Sequence, residues 1–311
     1  MTSNTAGNPA IAGIPLVLGG NVFGWTADRD TSFAVLDAFY AAGGRMIDTA
    51  DVYSAWVPGH KGGESEAVLG EWLESRGVRS EMCIHTKTGM LGGAELYGPE
   101  RLLQSLDASL ERLRTDYVDL YYAHKDYPEL PIADIVAAFG GAASAGKARA
   151  LGASSFGADR LGQALDAADA AGSMPFTVLQ NEFNLVSKAE YPADLQALCV
   201  TRNIAMLPFY GLANGFLTGK YRSEADLGKS VRGGRMKKLL VSGQPMLAAM
   251  DAVAAQTGAT LAQIALAWIN AQPGIGAAIA SATSVKQVQD LCGVAGLKLS
   301  AEQLETLDRA G

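Results

Sequence analysis

The chain alternates short apolar runs with longer stretches rich in Ala and Leu at helical spacing, from near its start to near its end. Such alternation is typical of repeated strand–helix units. Eight runs are predicted as strands: Leu16–Gly19, Met46–Thr49, Met82–Thr86, Val118–Ala123, Ala150–Ala153, Val178–Asn181, Ala205–Phe209 and Ala277–Ala280. Eight units predict an α/β fold of the (β/α)8 TIM-barrel type, in which the C-terminal strand ends gather on one face.

Candidate helices lie between these strands. They include Ser32–Ala42, Glu64–Arg76, Glu100–Leu113, Ile132–Ala145, Asp194–Thr201 and Met246–Gln256. Gly43-Gly44 and Gly77 stand where helix ends need a left-handed residue, and Pro99-Glu100 and the Ser300/Gln303 box mark helix starts. No low-complexity linker interrupts the pattern, so residues 1–311 are predicted to form one domain, with residues 1–10 flexible.

Composition excludes several classes of function. The formal net charge is −7 and the longest basic run is Lys237-Lys238, which argues against nucleic acid as a partner. Neither a signal-peptide pattern nor a membrane-length apolar stretch is present, so no membrane partner is expected. Cys83, Cys199 and Cys292 lack CxxC spacing and nearby histidines, which predicts buried thiols, no metal site and a cytoplasmic location.

Two segments are longer than the strand–helix period requires. His60–Gly63 extends the connection after the second strand, and Gly211–Pro245 separates the seventh strand from the helix at Met246. In a barrel, chemistry gathers on the loops after the strands, and a long loop there usually serves ligand binding. We therefore expect both segments to border a site.

Four polar residues stand at or just beyond the ends of successive strands. They are Asp48 in MIDTA, Tyr53 in the following loop, Lys87 after IHT, and His124 closing YVDLYYAH. Each has an ordinary structural explanation, such as a loop cap, a packed ring, a partner for a neighbouring charge or a hydrogen-bonded core histidine. Four titratable groups on one barrel rim nevertheless indicate a functional site, because their burial is costly.

The chemistry that suits this set is carbonyl reduction, in which hydride reaches carbon and a proton must reach oxygen. Tyr53 is predicted to donate the proton, with its pKa of about 10 lowered by roughly 1 to 3 units by the ammonium of Lys87. Asp48 would keep Lys87 charged and oriented. His124 would hydrogen-bond the substrate oxygen.

In order and context, DTADVYS, the Lys of HTKTG and the His of YYAHKD resemble the catalytic tetrad of aldo-keto reductases. The resemblance covers nearly the whole chain and includes GGESEAVLGEWL, LGASSFG, QNEFNLVSK and GLANGFLTGKY. It implies an extended nicotinamide dinucleotide bound without a Rossmann domain, and GxGxxG is indeed absent from the sequence. The resemblance implies NADP(H) as the coenzyme, because members of the family generally use it. NAD(H) is left open.

The resemblance also implies cofactor contacts. Ser154, Ser155 and Gln180 would hold the carboxamide, and Phe209 would stack on the nicotinamide ring. Gly211–Lys220, with Gly211, Leu212, Gly219 and Lys220, resembles the loop that spans the pyrophosphate, although its spacing also fits an ordinary surface loop. SATSVKQVQDL resembles the adenosine end, with contacts from Ser281, Thr283, Gln287 and Asp290.

Two positions depart from the family pattern. Ser154-Ser155 stands where the family usually has Ser-Asn, which puts one carboxamide contact in doubt. The Arg often present at the Thr283 or Gln287 position is missing, and an arginine fork is the natural partner of the 2'-phosphate that separates NADP from NAD. Ser281, Thr283, Ser284 and Lys286 can still form a phosphate pocket, so the coenzyme preference stays open.

A substrate pocket is expected from aromatic residues around Tyr53, namely Phe23 or Trp25 from the first loop, Trp56 from the second, and Tyr127. Such walls suit many aldehydes, ketones and sugars, and a tryptophan near a pocket is as often simple packing. The substrate is expected to be a small carbonyl compound or alcohol, and the oligomeric state is left open.

Three hypotheses follow from these residues. The first is a reductase. The second is a binding module that uses the cofactor's redox state as a signal, like the related potassium-channel β-subunits. The third is a Schiff-base aldolase, in which Lys87 attacks a carbonyl as a free amine. Turnover separates the first two, and borohydride trapping on Lys87 tests the third.

Overall fold

The computed structural model describes residues 7–231 and 233–311, and within them all eight predicted strands are present. The strands are β1 (Leu16–Gly19), β2 (Met46–Asp48), β3 (Cys83–Thr88), β4 (Leu120–Ala123), β5 (Leu151–Ser154), β6 (Phe176–Gln180), β7 (Ala205–Met206) and β8 (Ala278–Ala280). Neighbouring strands pair in parallel in the order β7-β6-β5-β4-β3-β2-β1-β8. The two ends of the sheet meet through a bridge between Met206 and Ile275, and Gly276 N donates to Met206 O over 2.8 Å. The predicted (β/α)8 barrel is confirmed.

Helices connect the strands around the outside. They are α1 (Arg29–Ala41), α2 (Glu64–Arg76), α3 (Pro99–Leu113), α4 (Ile132–Ser144), α5 (Ala158–Ala171), α6 (Ala193–Thr201), α7 (Leu239–Ser242), α8 (Gln244–Thr257), α9 (Leu261–Asn270), α10 (Val285–Cys292) and α11 (Ala301–Asp308). Gly77 ends α2 at a φ of 66°, and Ser300 and Gln303 form a capping box, as predicted. Between β7 and α8 the long connection carries short 3-10 turns.

Only β1 has the predicted bounds at both ends, and two of the boundaries that differ affect the site. The third strand continues to Thr88, so Lys87 lies inside β3 rather than after it. The seventh strand ends at Met206 instead of Phe209. Pro208 has no N–H to donate to a ladder. Phe209 still bonds the segment that follows β6, because its N–H donates to Asn181 O over 3.1 Å.

Buried apolar side chains form two clusters. The larger one fills the space between strands and helices. The smaller one lies inside the barrel and contains Val17, Met46, Cys83, Tyr122 and Val178. Since side chains alternate across a strand, any residue an even number of positions from one of these also points inward. Asp48, Lys87 and Gln180 at the strand ends follow this rule.

The amino-terminal end of the barrel is covered by the start of the described chain. Ala10 is fully buried, and its carbonyl lies 2.9 Å from Nε2 of His85. The side-chain amide of Asn8 donates to Thr177 O over 3.3 Å. The segment expected to be flexible therefore includes Asn8 and Ala10, which hold these contacts, while residues 1–6 lie outside the described part.

Among the residues described, no single helix is long and apolar enough to cross a membrane. One pair, α8 and α9, meets the length and composition criteria together, but it is bent by 96°.

Candidate active site

Five of the predicted site residues share the inner face of the barrel at the C-terminal strand ends. Each lies an even number of residues beyond an interior side chain, and this places them around one opening. The set comprises Asp48 after Met46, Lys87 after Cys83, His124 after Tyr122, Ser154 after Ala150, and Gln180 after Val178. The strand period thus brings together residues that are far apart in sequence.

The ammonium group of Lys87 is fully buried at the centre of the site. Its Nζ donates to Asp48 Oδ2 over 2.6 Å, to Thr49 O over 2.8 Å and to Tyr53 OH over 3.2 Å. An ammonium group has three hydrogens, so these three contacts satisfy it completely. Burial lowers the pKa of Lys87, but the nearby Asp48 and Tyr53 outweigh this effect and raise it above its ordinary value. Lys87 is therefore charged.

Tyr53 is presented by the loop between β2 and α2, which is bonded to β3 at two points. Thr49 N donates to His85 O over 2.9 Å, and Asp51 N donates to Lys87 O over 3.1 Å. The loop closes where Gly63 N donates to Tyr53 O over 2.8 Å. Gly62, at φ 96°, passes so close to Asp51 O that a Cβ there would lie 2.6 Å from it.

The pKa of Tyr53 differs from the sequence prediction. Burial raises the pKa of the phenol, and the ammonium of Lys87 lowers it, as expected from its charge. Burial is the stronger effect, so the pKa of Tyr53 lies above its ordinary value rather than below it. The predicted net lowering is wrong for the coenzyme-free chain, and Tyr53 is held in its protonated form.

His124 follows β4, and its ring centroid lies 6.1 Å from that of Tyr53. Its backbone N donates to Thr88 O over 2.9 Å, which fixes the residue beside β3. Burial, aided by the charge of Lys87, lowers the pKa of His124 well below 6.5. The imidazole is neutral and keeps both a donor and an acceptor nitrogen.

The residues predicted to hold a carboxamide lie at the ends of β5 and β6. Ser154 and Gln180 are adjacent partners in the sheet and are both 2% exposed. The Gln180 side-chain amide donates to Asp48 Oδ1 over 2.9 Å. Ser155 is exposed at φ 59°, and its N–H donates to Gln180 O over 3.1 Å. Phe209 is half-buried. It lies beside these residues, because its backbone N donates to Asn181 O over 3.1 Å.

The predicted pyrophosphate loop has an unusual backbone. Tyr210, Ala213 and Asn214 have positive φ values of 55°, 46° and 55°, a conformation that costs energy outside glycine. Gly215 and Gly219 are also left-handed, and a Cβ on Gly215 would meet the side chain of Lys220 at 3.0 Å. Strained backbone of this kind clusters at ligand-binding segments.

Gly211 and Leu212 begin this loop on the closing side of the barrel. Gly211 is buried beside β8, where a Cβ would lie 3.1 Å from Ile279 O. Leu212 is half-buried and packs on the main core cluster. The loop therefore leaves the barrel in close contact with β8, which leads to the predicted adenosine end.

At that end the structure separates the four predicted contacts. Ser281 donates to Asn21 Oδ1 over 2.7 Å, and Gln287 Oε1 accepts from Thr283 N and Oγ1 over 2.8 and 3.1 Å. Asp290 instead accepts from Thr260 Oγ1 and Gln263 Nε2 at the start of α9 over 3.2 and 3.1 Å. Both carboxylate oxygens of Asp290 are thus used between helices.

The predicted substrate pocket is partly assembled. Trp56 is 47% exposed, and its ring packs edge-on against Trp25 and Tyr53 at centroid distances of 5.5 and 5.8 Å. Phe23 is fully buried in the main core, so Trp25 is the one of the two alternatives that can face a substrate. Tyr127 donates from its hydroxyl to Gly89 O over 2.6 Å and packs on Tyr97.

Sequence reasoning missed three contributors to this site. The carbonyl of Thr49 is a backbone partner of Lys87 that no side-chain pattern reveals. Tyr210 contacts Phe209 at a centroid distance of 5.1 Å and adds to the forces that raise the pKa of Tyr53. Asp51 is buried and accepts from Thr88 Oγ1 over 2.7 Å. The sequence feature that could have identified Asp51 is its position within DTADVYS, between Asp48 and Tyr53.

No group of three or more His, Cys, Asp or Glu side chains capable of holding a metal ion occurs in residues 7–231 and 233–311. The positive charge at the centre of the described site is supplied by Lys87.

Comparison with protein families identifies the chain. The aldo/keto reductase family model matches residues 15–311. The chain belongs to the aldo/keto reductase family. This aldo-keto reductase is 30% identical over 289 residues to the aldo-keto reductase str7 of Strobilurus tenacellus, a match that covers 91% of the chain and 81% of the relative. It is 28% identical over 306 residues to an NADP(+) aryl-alcohol dehydrogenase of Phanerodontia chrysosporium, covering 91% and 76% of the two chains.

Solved structures resemble the aldo-keto reductase in fold. A thermostable aldo-keto reductase bound to the inhibitor epalrestat superposes with a TM-score of 0.76 at 24% identity, covering 96% of this chain and 95% of that one. An aldo/keto reductase of Klebsiella pneumoniae in complex with NADP and acetate gives 0.74 at 24% identity, with coverage of 95% and 90%. Both likenesses support the barrel.

Proposed function

We propose that this aldo-keto reductase is an NADP(H)-dependent oxidoreductase that reduces aldehydes or ketones, or oxidises the corresponding alcohols, sugars among them, with Tyr53 as proton donor. One observation carries the proposal. A buried, charged lysine lies 2.6 Å from the carboxylate of Asp48 and 3.2 Å from the hydroxyl of Tyr53, beside a neutral histidine. This arrangement suits proton donation to an oxygen that gains negative charge.

The residues of the site fit a nicotinamide dinucleotide. Gln180 and Ser154 provide amide and hydroxyl groups at the barrel opening, and the half-buried ring of Phe209 provides a stacking surface. The Oδ1 atom of Asn214, within the strained loop, is buried without a hydrogen-bond partner in the described chain. An unpaired buried acceptor is costly and marks a place where a ligand can bind.

When bound, the coenzyme supplies a hydride to the carbonyl carbon. Tyr53 gives its phenolic proton to the carbonyl oxygen, so the product is the alcohol and a phenolate. Lys87, charged and 3.2 Å away, stabilises that phenolate, while Asp48 holds Lys87 in place. The neutral ring of His124 donates a hydrogen bond to the substrate oxygen and orients it.

The coenzyme is proposed as NADP(H) on the name of the Phanerodontia relative, an NADP(+) aryl-alcohol dehydrogenase, and on the NADP complex of the Klebsiella structure. NAD(H) is the alternative, since Thr283 and Gln287 stand where an arginine is often present and bond each other. The three buried, free cysteines are consistent with our proposal that the enzyme is cytoplasmic.

The two other hypotheses fit the geometry less well. An aldolase needs Lys87 as a neutral amine, but its raised pKa and three hydrogen bonds favour the ammonium form. A redox sensor would hold coenzyme without turnover, and the complete set of Asp48, Tyr53, Lys87 and His124 favours turnover.

The proposal is tested by titrating NADPH and NADH separately into the purified chain while following fluorescence quenching, then adding a panel of aldehydes. We expect tight binding of at least NADPH, followed by its oxidation. Binding without oxidation across the panel would support the sensor. Failure of both coenzymes to bind would overturn the proposal.

A further inference from the structure

Asp48 has one buried partner for each oxygen of its carboxylate. Oδ2 accepts from Lys87 Nζ over 2.6 Å, and Oδ1 accepts from Gln180 Nε2 over 2.9 Å. Each of the three residues is 2% exposed or less. Buried polar groups of this kind are fixed by their hydrogen bonds, because no water is available to replace a lost partner.

The bond between Gln180 and Asp48 crosses the interior of the barrel. Asp48 ends β2 and Gln180 ends β6, and three strands lie between β2 and β6 in the sheet. Lys87, by contrast, comes from β3, which pairs directly with β2. Gln180 is therefore the partner that holds the carboxylate of Asp48 from the far side of the barrel, against rotation away from Lys87.

The direction of the Gln180 amide follows from this contact. An ionised carboxylate only accepts hydrogen bonds, so the NH2 group of the amide must face Asp48. Its carbonyl oxygen Oε1 is then the end of the amide that does not contact Asp48. An oxygen acceptor selects a donor, such as the NH2 of a carboxamide.

From this geometry we propose that Gln180 is a positioning residue whose amide NH2 holds Asp48, and through it Lys87, beside the Tyr53 hydroxyl, while its oxygen contacts the coenzyme carboxamide. The proposal rests on the function proposed above for its ligand side. It goes further by linking coenzyme binding to the proton donor through one amide group.

The consequence for Tyr53 has a definite direction. Lys87 lowers the pKa of the Tyr53 phenol by its charge and its 3.2 Å hydrogen bond. Without the Gln180 contact, Asp48 can turn and Lys87 is less firmly held beside the phenol. Stabilisation of the phenolate weakens, so Tyr53 should ionise at higher pH.

The test uses the full chain labelled with 3-fluorotyrosine, without coenzyme, and follows ¹⁹F NMR signals as a function of pH. The Tyr53 signal is assigned by its loss in Tyr53→Phe. Gln180→Met removes both hydrogen-bonding ends at similar length, and Ser154→Ala is the matched control, since it removes another predicted carboxamide contact at the partner position in β5. Coenzyme affinity is measured for each by fluorescence quenching.

We expect Gln180→Met to raise the Tyr53 titration midpoint by about half a pH unit or more, on the scale on which a nearby charge acts, and Ser154→Ala to leave it unchanged. Both should weaken coenzyme binding. If Gln180→Met does not fold, Gln180→Leu also removes the amide without adding a charge, and it should raise the midpoint in the same way. A midpoint unmoved in the folded variant overturns the proposal, whereas absence of wild-type turnover would overturn only the proposed function.

Discussion

The Nζ atom of Lys87 lies 3.2 Å from the phenolic oxygen of Tyr53, and its two other hydrogens are bonded to Asp48 and to the carbonyl of Thr49. This relationship has two sides. Lys87 favours the phenolate, while burial of Tyr53 favours the phenol more strongly. The site therefore starts from a protonated tyrosine with a cation already placed to stabilise the charge left after proton transfer.

The pH dependence of turnover should show this balance. Protonated Tyr53 is the active form for reduction, and its raised pKa keeps it protonated beyond the pH at which an ordinary tyrosine ionises. The kcat for aldehyde reduction should therefore stay level through neutral pH and fall only in strongly alkaline solution, whereas alcohol oxidation, which needs the phenolate, should rise with pH. Steady-state rates at saturating coenzyme and substrate check this. A fall in reduction between about pH 7 and 8 would assign the proton to another group.

His124 should not cause a fall in turnover on the acidic side of the pH profile. Burial keeps its pKa well below 6.5, so the imidazole is neutral across the range in which an ordinary histidine would titrate. The kcat for reduction should not change between about pH 6 and 7. A His124→Asn variant, which retains a side-chain NH donor, should keep the same flat profile at a lower rate. A wild-type inflection near 6.5 that disappears in this variant would show that His124 is charged in the working enzyme.

Stability should depend on the buried pair formed by Lys87 and Asp48. Lys87→Met leaves the carboxylate of Asp48 in the barrel without its cation, and loss of one member of a buried pair costs about 3–5 kcal/mol. The double variant Asp48→Asn/Lys87→Met removes both charges and should recover a large part of that loss. Urea unfolding at pH 7 measures the free energies. Equal instability of the single and double variants would mean that the loss comes from packing.

Asp51 should make stability depend on pH. Burial raises its pKa from 3.8 to about 7, so between these values the folded chain holds a proton that the unfolded chain releases. Its contribution to the free energy of unfolding is present at low pH and declines as pH rises toward 7, by up to about 1.4 kcal/mol per pH unit. In Asp51→Asn the side chain cannot ionise, so this decline in the free energy of unfolding is absent.

The difference in free energy of unfolding between Asp51→Asn and wild type should accordingly move in favour of the variant from about pH 4 to 7 and then level off. Urea unfolding at several pH values provides the comparison, and groups other than Asp51 cancel in the difference. A difference that is constant with pH would show that the Asp51 carboxyl ionises normally.

Trp56 should contribute to binding of aromatic substrates. It is 47% exposed and packs edge-on against Trp25 and Tyr53, so it offers a ring at the site opening. Trp56→Ala should raise KM about tenfold for an aromatic aldehyde, the size expected for one lost aromatic contact, with little change for a short aliphatic aldehyde. Met174→Ala, an exposed apolar residue just before β6 at the other end of the barrel, is the control. Equal effects on both aldehydes would exclude ring contact.

Much of this architecture could be predicted from the sequence because the period of the apolar runs is local information. The strand count, the start of α4 at Ile132 and the bounds of α2 follow from alternation and helix caps. Lys87 was predicted to follow β3, but it lies inside the strand. Polar residues at the end of a strand are difficult to distinguish from those of a loop. Pro208 ended β7 early for a reason visible in the sequence.

Contacts that depend on closure of the barrel were beyond sequence patterns. Gln180 and Asp48 are 132 residues apart, and their hydrogen bond exists only because β2 and β6 face each other across the interior. The net effect on the pKa of Tyr53 likewise depends on how deeply the phenol is buried, which no motif gives. The use of both Asp290 oxygens by the start of α9 depends on how α9 and α10 pack.

The most direct test of the central claim is a comparison of Tyr53→Phe with wild type, measuring kcat for aldehyde reduction and the Kd of NADPH on the same preparations. Phe keeps the ring against Trp56 and removes only the hydroxyl. We predict that kcat falls by about 10²–10⁴-fold, the usual contribution of a general acid, while the Kd stays close to wild type. Turnover at the wild-type rate in a variant that still binds NADPH would contradict the assignment of Tyr53 as proton donor.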